Sequence, residues 1–169
     1  MLGVVPEWQP VHASGLAAGG VGGFRCAEEE NVYRGDIERR AAALELQAMR
    51  WPQPFPADTR WAMLTATYTK QIGRAVAFSV AAFRQAFAGG RDLGRQENVL
   101  ISAAACELHP AAVIKGTELD STRRRLDAAT QAAASAGVLT VPALKVGEEV
   151  FYDGEFARAA ERLSSSVAR

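Results

Sequence analysis

The chain has 169 residues, enough for one ordinary domain with a real core and short for two. Its 19 Lys and Arg balance its 19 Asp and Glu, so no basic field rewards nucleic acid or an anionic membrane as the main partner. No apolar run reaches the ~18 residues of a membrane span, and Met1–Pro6 lacks the basic region and cleavage site of a signal peptide, which makes a cytoplasmic location the expectation.

Gly3–Val11 reads as a short strand with Val4, Val5, Trp8 and Val11 apolar, held to a sheet edge by Pro6 and Pro10. Ala13–Gly23 is glycine-rich and predicts a loop. Asp36 can cap a helix to about Met49, with Ile37, Ala41, Leu44 and Ala48 on one face. Trp51-Pro52-Gln53-Pro54-Phe55-Pro56 places proline at alternate positions and favours an extended, polyproline-like connector.

Asp58 then caps a helix to about Ile72, and Gly73 breaks the pattern. The next helix carries Val76, Val80, Phe83 and Phe87 as its apolar face and stops at Gly89-Gly90. Glu97–Cys106 is helical, His109-Pro110 starts a short helix, and Asp120 or Ser121 caps an Ala-rich one ending at Gly137. Arg123, Arg124 and Arg125 fan over different faces of that helix and read as solvated surface.

After Gly137 the period changes. Val138, Leu139, Val141, Leu144 and Val146 predict a buried strand interrupted by Pro142. Gly147-Glu148 makes a tight turn, Glu149-Val150-Phe151 returns antiparallel, and Asp153 or Gly154 opens a final helix with Phe156, Ala159, Ala160 and Leu163. Cys26 and Cys106 form no CxxC and read as free thiols, Cys106 in the core and Cys26 exposed. His12 and His109 stand apart, so no metal site is expected.

A proline within an apolar strand withholds a ladder donor. Either Pro142 begins the strand in the trans form, or the Val141–Pro142 peptide is cis. The second arrangement leaves the Val141 N–H and C=O free to pair with an extended peptide, of which glutathione is one.

Five segments together resemble the DsbA-like branch of the thioredoxin superfamily, which includes 2-hydroxychromene-2-carboxylate isomerases and kappa-class glutathione transferases. They are Glu7–Val11, Trp51–Pro56, Phe83–Phe87, Ala136–Pro142 and Val146–Tyr152. Their order runs over nearly the whole chain, from Trp8 to Leu163.

The resemblance implies an α/β, thioredoxin-like fold with an inserted all-helical domain. Residues 1–35 and 136–169 would form the thioredoxin-like portion and 36–135 the helical insertion. It also implies a cis-proline at Pro142, with Val141 offering its backbone to the cysteinyl unit of glutathione or another small thiol. Asp153 would hold the γ-glutamyl end near the final helix, with Glu155 left open as the alternative. Trp51 and Asp58 would line the cleft, although Trp51 also reads as core filling and Asp58 as a helix cap. No metal enters.

The family's first strand–helix unit, which carries CxxC or a thiol-activating Ser, has no counterpart ahead of Trp8. Phe151-Tyr152-Asp153-Gly154-Glu155-Phe156 is also one residue shorter than the family's Phe-Trp-Gly-x-Asp-Arg and lacks its Arg. The expected function is a glutathione-dependent isomerase or transferase acting on a small-molecule substrate, inactive if that unit is lost. The alternatives are a thiol-disulfide oxidoreductase whose CxxC lies upstream, or a non-catalytic relic that dimerises with a second copy.

Overall fold

The computed structural model describes residues 5–167, which contain seven α-helices and one two-stranded sheet. The chain divides into two compact units. One comprises Met1–Gly20 with Arg124–Arg169, the other Val21–Arg123, so the division falls inside one helix.

The all-helical unit opens with α1 (Ala27–Ala43), which starts nine residues before the expected Asp36 cap and ends short of Met49. Periodicity misled here because α1 has almost no apolar stripe; Ala41 is its buried residue. Its start is instead electrostatic. Glu28, Glu29 and Glu30 occupy the first turn, where the helix dipole favours anions, and the Glu29 carboxylate accepts the Arg25 N–H at 2.8 Å. Asp36 lies inside the helix and pairs with Arg39. Glu45, at φ +53°, turns the chain out of the helix.

The Trp51–Pro56 connector is not the extended polyproline-like segment expected. Its Gln53–Pro54 and Phe55–Pro56 peptides are both cis, so the chain bends there. Helices α2 (Arg60–Gln71), α3 (Ala75–Phe87), α4 (Gln96–Ala104) and α5 (Pro110–Glu118) then pack on one another, and their boundaries follow the sequence closely. Buried Thr65, Thr67 and Thr69 of α2 donate their hydroxyls to carbonyls of the preceding turn, which offsets their desolvation.

The buried face of α3 differs from the expected one except at Phe87, which is half-buried against the core. Ala75, Phe78, Ala82 and Ala86 face the core, while Val76, Val80 and Phe83 are exposed, Phe83 by 63%. Small side chains let helices approach closely, and the core built from Ala62, Ala66, Ala82, Ala86 and Ala103 around Phe78 uses that proximity.

In the other unit, residues 5–12 carry no regular secondary structure, and Gly3 and Val4 of the expected first strand lie outside the described residues. Pro6 and Pro10 withhold two donors, and the sheet among the described residues has only two strands, so Val5 and Trp8 stand 92% and 61% exposed. The glycine-rich stretch is a loop with one 3₁₀ turn at Ala13–Gly15. Helix α6 (Asp120–Ser135) ends as expected before Gly137, at φ +80°.

Strand β1 covers Ala143–Val146 and pairs antiparallel with β2 (Glu149–Tyr152), Leu144 opposite Phe151 and Val146 opposite Glu149. Gly147, at φ +61°, supplies the left-handed first position of the two-residue turn. The strand therefore starts after Pro142, and Val138–Val141 lie outside it with Leu139 exposed. Helix α7 (Phe156–Val167) packs on both strands, burying Ala159 near Phe151, itself 4% exposed.

Candidate functional site

Pro142 stands immediately ahead of β1, and the Val141–Pro142 peptide is cis. The ladder begins one residue later, at Ala143 opposite Tyr152. Val141 is 40% exposed, and its N–H and C=O make no hydrogen bond among the described residues. A main chain in this state can add one extended residue of a ligand by strand-like pairing.

The segment before Val141 is tied down from both sides. The Tyr152 hydroxyl accepts the Leu139 N–H at 2.9 Å and donates to the Gly137 carbonyl at 3.2 Å. The Leu139 carbonyl in turn accepts the Ala18 N–H at 2.9 Å. Tyr152 thus orients the residues leading into the proline, a role that its position in the sequence motif does not disclose.

Asp153 is exposed in the turn after β2, where Gly154 has φ +87°. The residue directly before α7 is Glu155. Its carboxylate accepts the Tyr152 N–H at 3.1 Å and pairs with Arg158 at 2.7 Å, while its N–H donates to the Tyr152 carbonyl at 2.9 Å. The α7 N-terminus therefore already holds an anionic side chain of the chain itself.

In the helical unit, Trp51 is half-buried and its indole N–H donates to Glu38 at 2.6 Å. Its ring meets Phe55 edge-on at 4.7 Å and Phe87 at 5.9 Å. The Arg34 guanidinium lies 5.1 Å from both the Trp51 and Phe55 ring centres and pairs with Glu30 one turn back. Phe24 and Tyr33 complete this aromatic cluster, which anchors the connector to α1. Asp58 is exposed, and its carboxylate accepts the Arg60 N–H at 2.9 Å at the start of α2.

Cys26 is exposed at the head of α1 and Cys106 is buried after α4, both as free thiols. Burial pushes the Cys106 thiol up, against a smaller opposing pull from Arg74. No group of three His, Cys, Asp or Glu able to hold a metal ion occurs among the described residues.

No protein-family model matches the chain, and no curated protein matches it. Among solved structures, that of selenomethionine 2-hydroxychromene-2-carboxylate isomerase superposes on it with a TM-score of 0.71. The match covers 84% of this chain and 68% of that one at 16% identity. The fold is DsbA-like.

The DsbA-like fold groups Val141, Pro142 and Asp153 in the unit that contains the hairpin, and Trp51 and Asp58 in the helical unit. Within the first group the sequence motif located the residues around the proline. It did not single out Tyr152, and it offered Glu155 only as an alternative to Asp153; the hydrogen bonds of Tyr152 and Glu155 hold that group in place. An aromatic residue closing a strand and a carboxylate one residue before a helix were the available signals.

Proposed function

We propose that this chain is a thiol-peptide-dependent protein of the DsbA-like superfamily, an isomerase or transferase that uses glutathione or a related small thiol on a small-molecule substrate. The observation that carries this reading is the exposed Val141 main chain, unpaired beside Pro142 at the mouth of β1. The likeness of the whole fold to a 2-hydroxychromene-2-carboxylate isomerase supports it. In this reading the Val141 N–H and C=O grip the cysteinyl residue of the thiol peptide, and Asp153 takes the ammonium of its γ-glutamyl end. Trp51 and Asp58 belong to the substrate side. A reducing, cytoplasmic setting goes with the two free cysteines, and a homodimer is the assembly we associate with it.

The test is a titration of the isotopically labelled chain with reduced glutathione, read at the backbone amides. Saturable displacement of the Val141 and Ala143 amides, with Val32 and Val99 unmoved, is the expected result. Amides near Pro142 that stay still at millimolar glutathione would overturn the reading.

A further inference from the structure

The outer edge of β1 is a feature that neither the hairpin nor α7 absorbs. Gly147 and Glu148 form a two-residue turn, so Val146 and Glu149 exchange main-chain hydrogen bonds, and so do Leu144 and Phe151. The alternate pairs turn their main-chain groups outward. Those of Tyr152 are used, its N–H donating to the Glu155 carboxylate and its carbonyl accepting the Glu155 N–H. Across the ladder, Ala143 and Lys145 direct N–H and C=O away from β2 and make no further main-chain hydrogen bond among the described residues. The two faces of the hairpin also differ. Helix α7 covers the face of Leu144 and Phe151, with Arg158 lying 5.9 Å from the Phe151 ring centre and Arg162 paired with Glu149. Ala143 and Lys145 belong to the other face.

Residues 5–11 match this edge. In an extended chain, Pro6, Trp8 and Pro10 share one edge, and Val5, Glu7, Gln9 and Val11 share the other. Both missing donors fall on the first edge, so the second keeps every N–H. Val5 and Trp8 are 92% and 61% exposed. Within its own copy the segment joins no sheet among the described residues, and the N–H of the following His12 is held by Thr130 of α6. Set antiparallel to β1, with Glu7 opposite Lys145 and Gln9 opposite Ala143, the segment lays Trp8 beside Leu144 on the α7 side. The same register puts opposite charges together on the other face, where Lys145 otherwise meets Glu148 at 3.8 Å in the solvated turn. Glu7 and Gln9 have partners within the chain, and the pairing exchanges these for β1.

We propose that residues 5–11 of each copy add a strand to β1 of a second copy in this register. The exchange is reciprocal about a two-fold axis. The added strand turns the edge of Pro6 and Pro10 outward, where it templates no further strand, so assembly stops at two copies. This gives an interface to the homodimer named with the proposed function, and it rests on that reading for the assembly alone. The pairing ends at Ala143, so the Val141 main chain stays open to a thiol peptide.

The experiment is sedimentation equilibrium of the full chain, of Glu7→Lys, of Lys145→Glu, and of an equimolar mixture of the two variants. The native chain is expected to be a dimer. Each variant alone sets like charges opposite one another in both added strands and should dimerise about tenfold more weakly. The mixture restores opposite charges at both places and should return to native affinity, which pairing of the segment with its own β1 cannot produce. Both side chains are exposed, and circular dichroism checks that the variants fold. A native chain that stays monomeric at millimolar concentration overturns the proposal, and so does a dimer that either variant leaves at native strength. A mixture no tighter than the variants alone overturns it as well. Displacement of the Val141 amide by glutathione is a separate readout, so failure there and failure of the dimer are told apart.

Discussion

The Tyr152 hydroxyl accepts the Leu139 N–H at 2.9 Å and, by donating to the Gly137 carbonyl, closes the approach to Pro142 onto β2. Tyr152→Phe keeps the ring and removes both hydrogen bonds. A loss of about 1–2 kcal/mol in urea-derived stability is expected. Hydrogen exchange at the Leu139 amide should accelerate, while amides of α2 and α3 keep their protection.

Phe78 and Phe83 lie five residues apart on α3 with opposite fates, 1% and 63% exposed. Phe78→Ala should cost about 3–5 kcal/mol, the range for a fully buried aromatic. Phe83→Ala should stay within about 0.5 kcal/mol. Equal losses in thermal or chemical unfolding would place the buried face of α3 where periodicity alone puts it.

Gly116 in α5 is buried with the Tyr68 ring directly over the position a Cβ would take. Alanine is the better helix former by about 1 kcal/mol, yet the overpacking it forces costs about 1–3 kcal/mol. Gly116→Ala should therefore destabilise, and adding Tyr68→Ala should remove the clash-derived part of the loss in a double-mutant cycle.

Cys106 adds a pH dependence of defined sign. Burial raises its thiol in the folded chain, whereas the unfolded thiol ionises near about 8.5. Above that value the unfolded form sheds its proton first. Stability is therefore whole below the unfolded pKa and falls as pH rises through the folded one. Cys106→Ala should flatten the decline in urea midpoint between about pH 7 and about pH 10, the span around the unfolded thiol value. At neutral pH an aromatic disulfide reagent should label the exposed Cys26 at once and Cys106 only after unfolding.

Trp51 joins α1, the connector and α3 through one indole. Trp51→Phe keeps most of the ring contact and loses the bond to Glu38, for a cost of about 1 kcal/mol. Trp51→Ala should cost about 2 kcal/mol, below the value of a fully buried aromatic because the residue is half-buried. Near-ultraviolet circular dichroism would register the collapse of the cluster with Phe55 and Arg34.

Local chemistry made much of this legible in advance. Glycines at 73, 137 and 147 and the proline at 110 act through φ and through missing donors, effects confined to a few residues, and they mark element ends correctly, whereas Pro142 immediately precedes the strand it was expected to interrupt. The hairpin register follows from Gly147 in the same way. Packing decided the rest. Val76, Val80 and Phe83 have the spacing of a core face, but only the meeting of α2, α3 and α4 could select the alanine face of α3 instead.

The strand expected from Gly3 failed for a related reason, since a strand exists only as part of a ladder, and residues 5–11 carry no regular secondary structure and join no sheet among the described residues. At the candidate site, the residues around Pro142 could be named from their order along the chain. That Tyr152 holds them emerged only once the hairpin was folded, because its contacts join residues distant in sequence. Motifs report what the backbone can do nearby; tertiary structure alone determines which side chains meet.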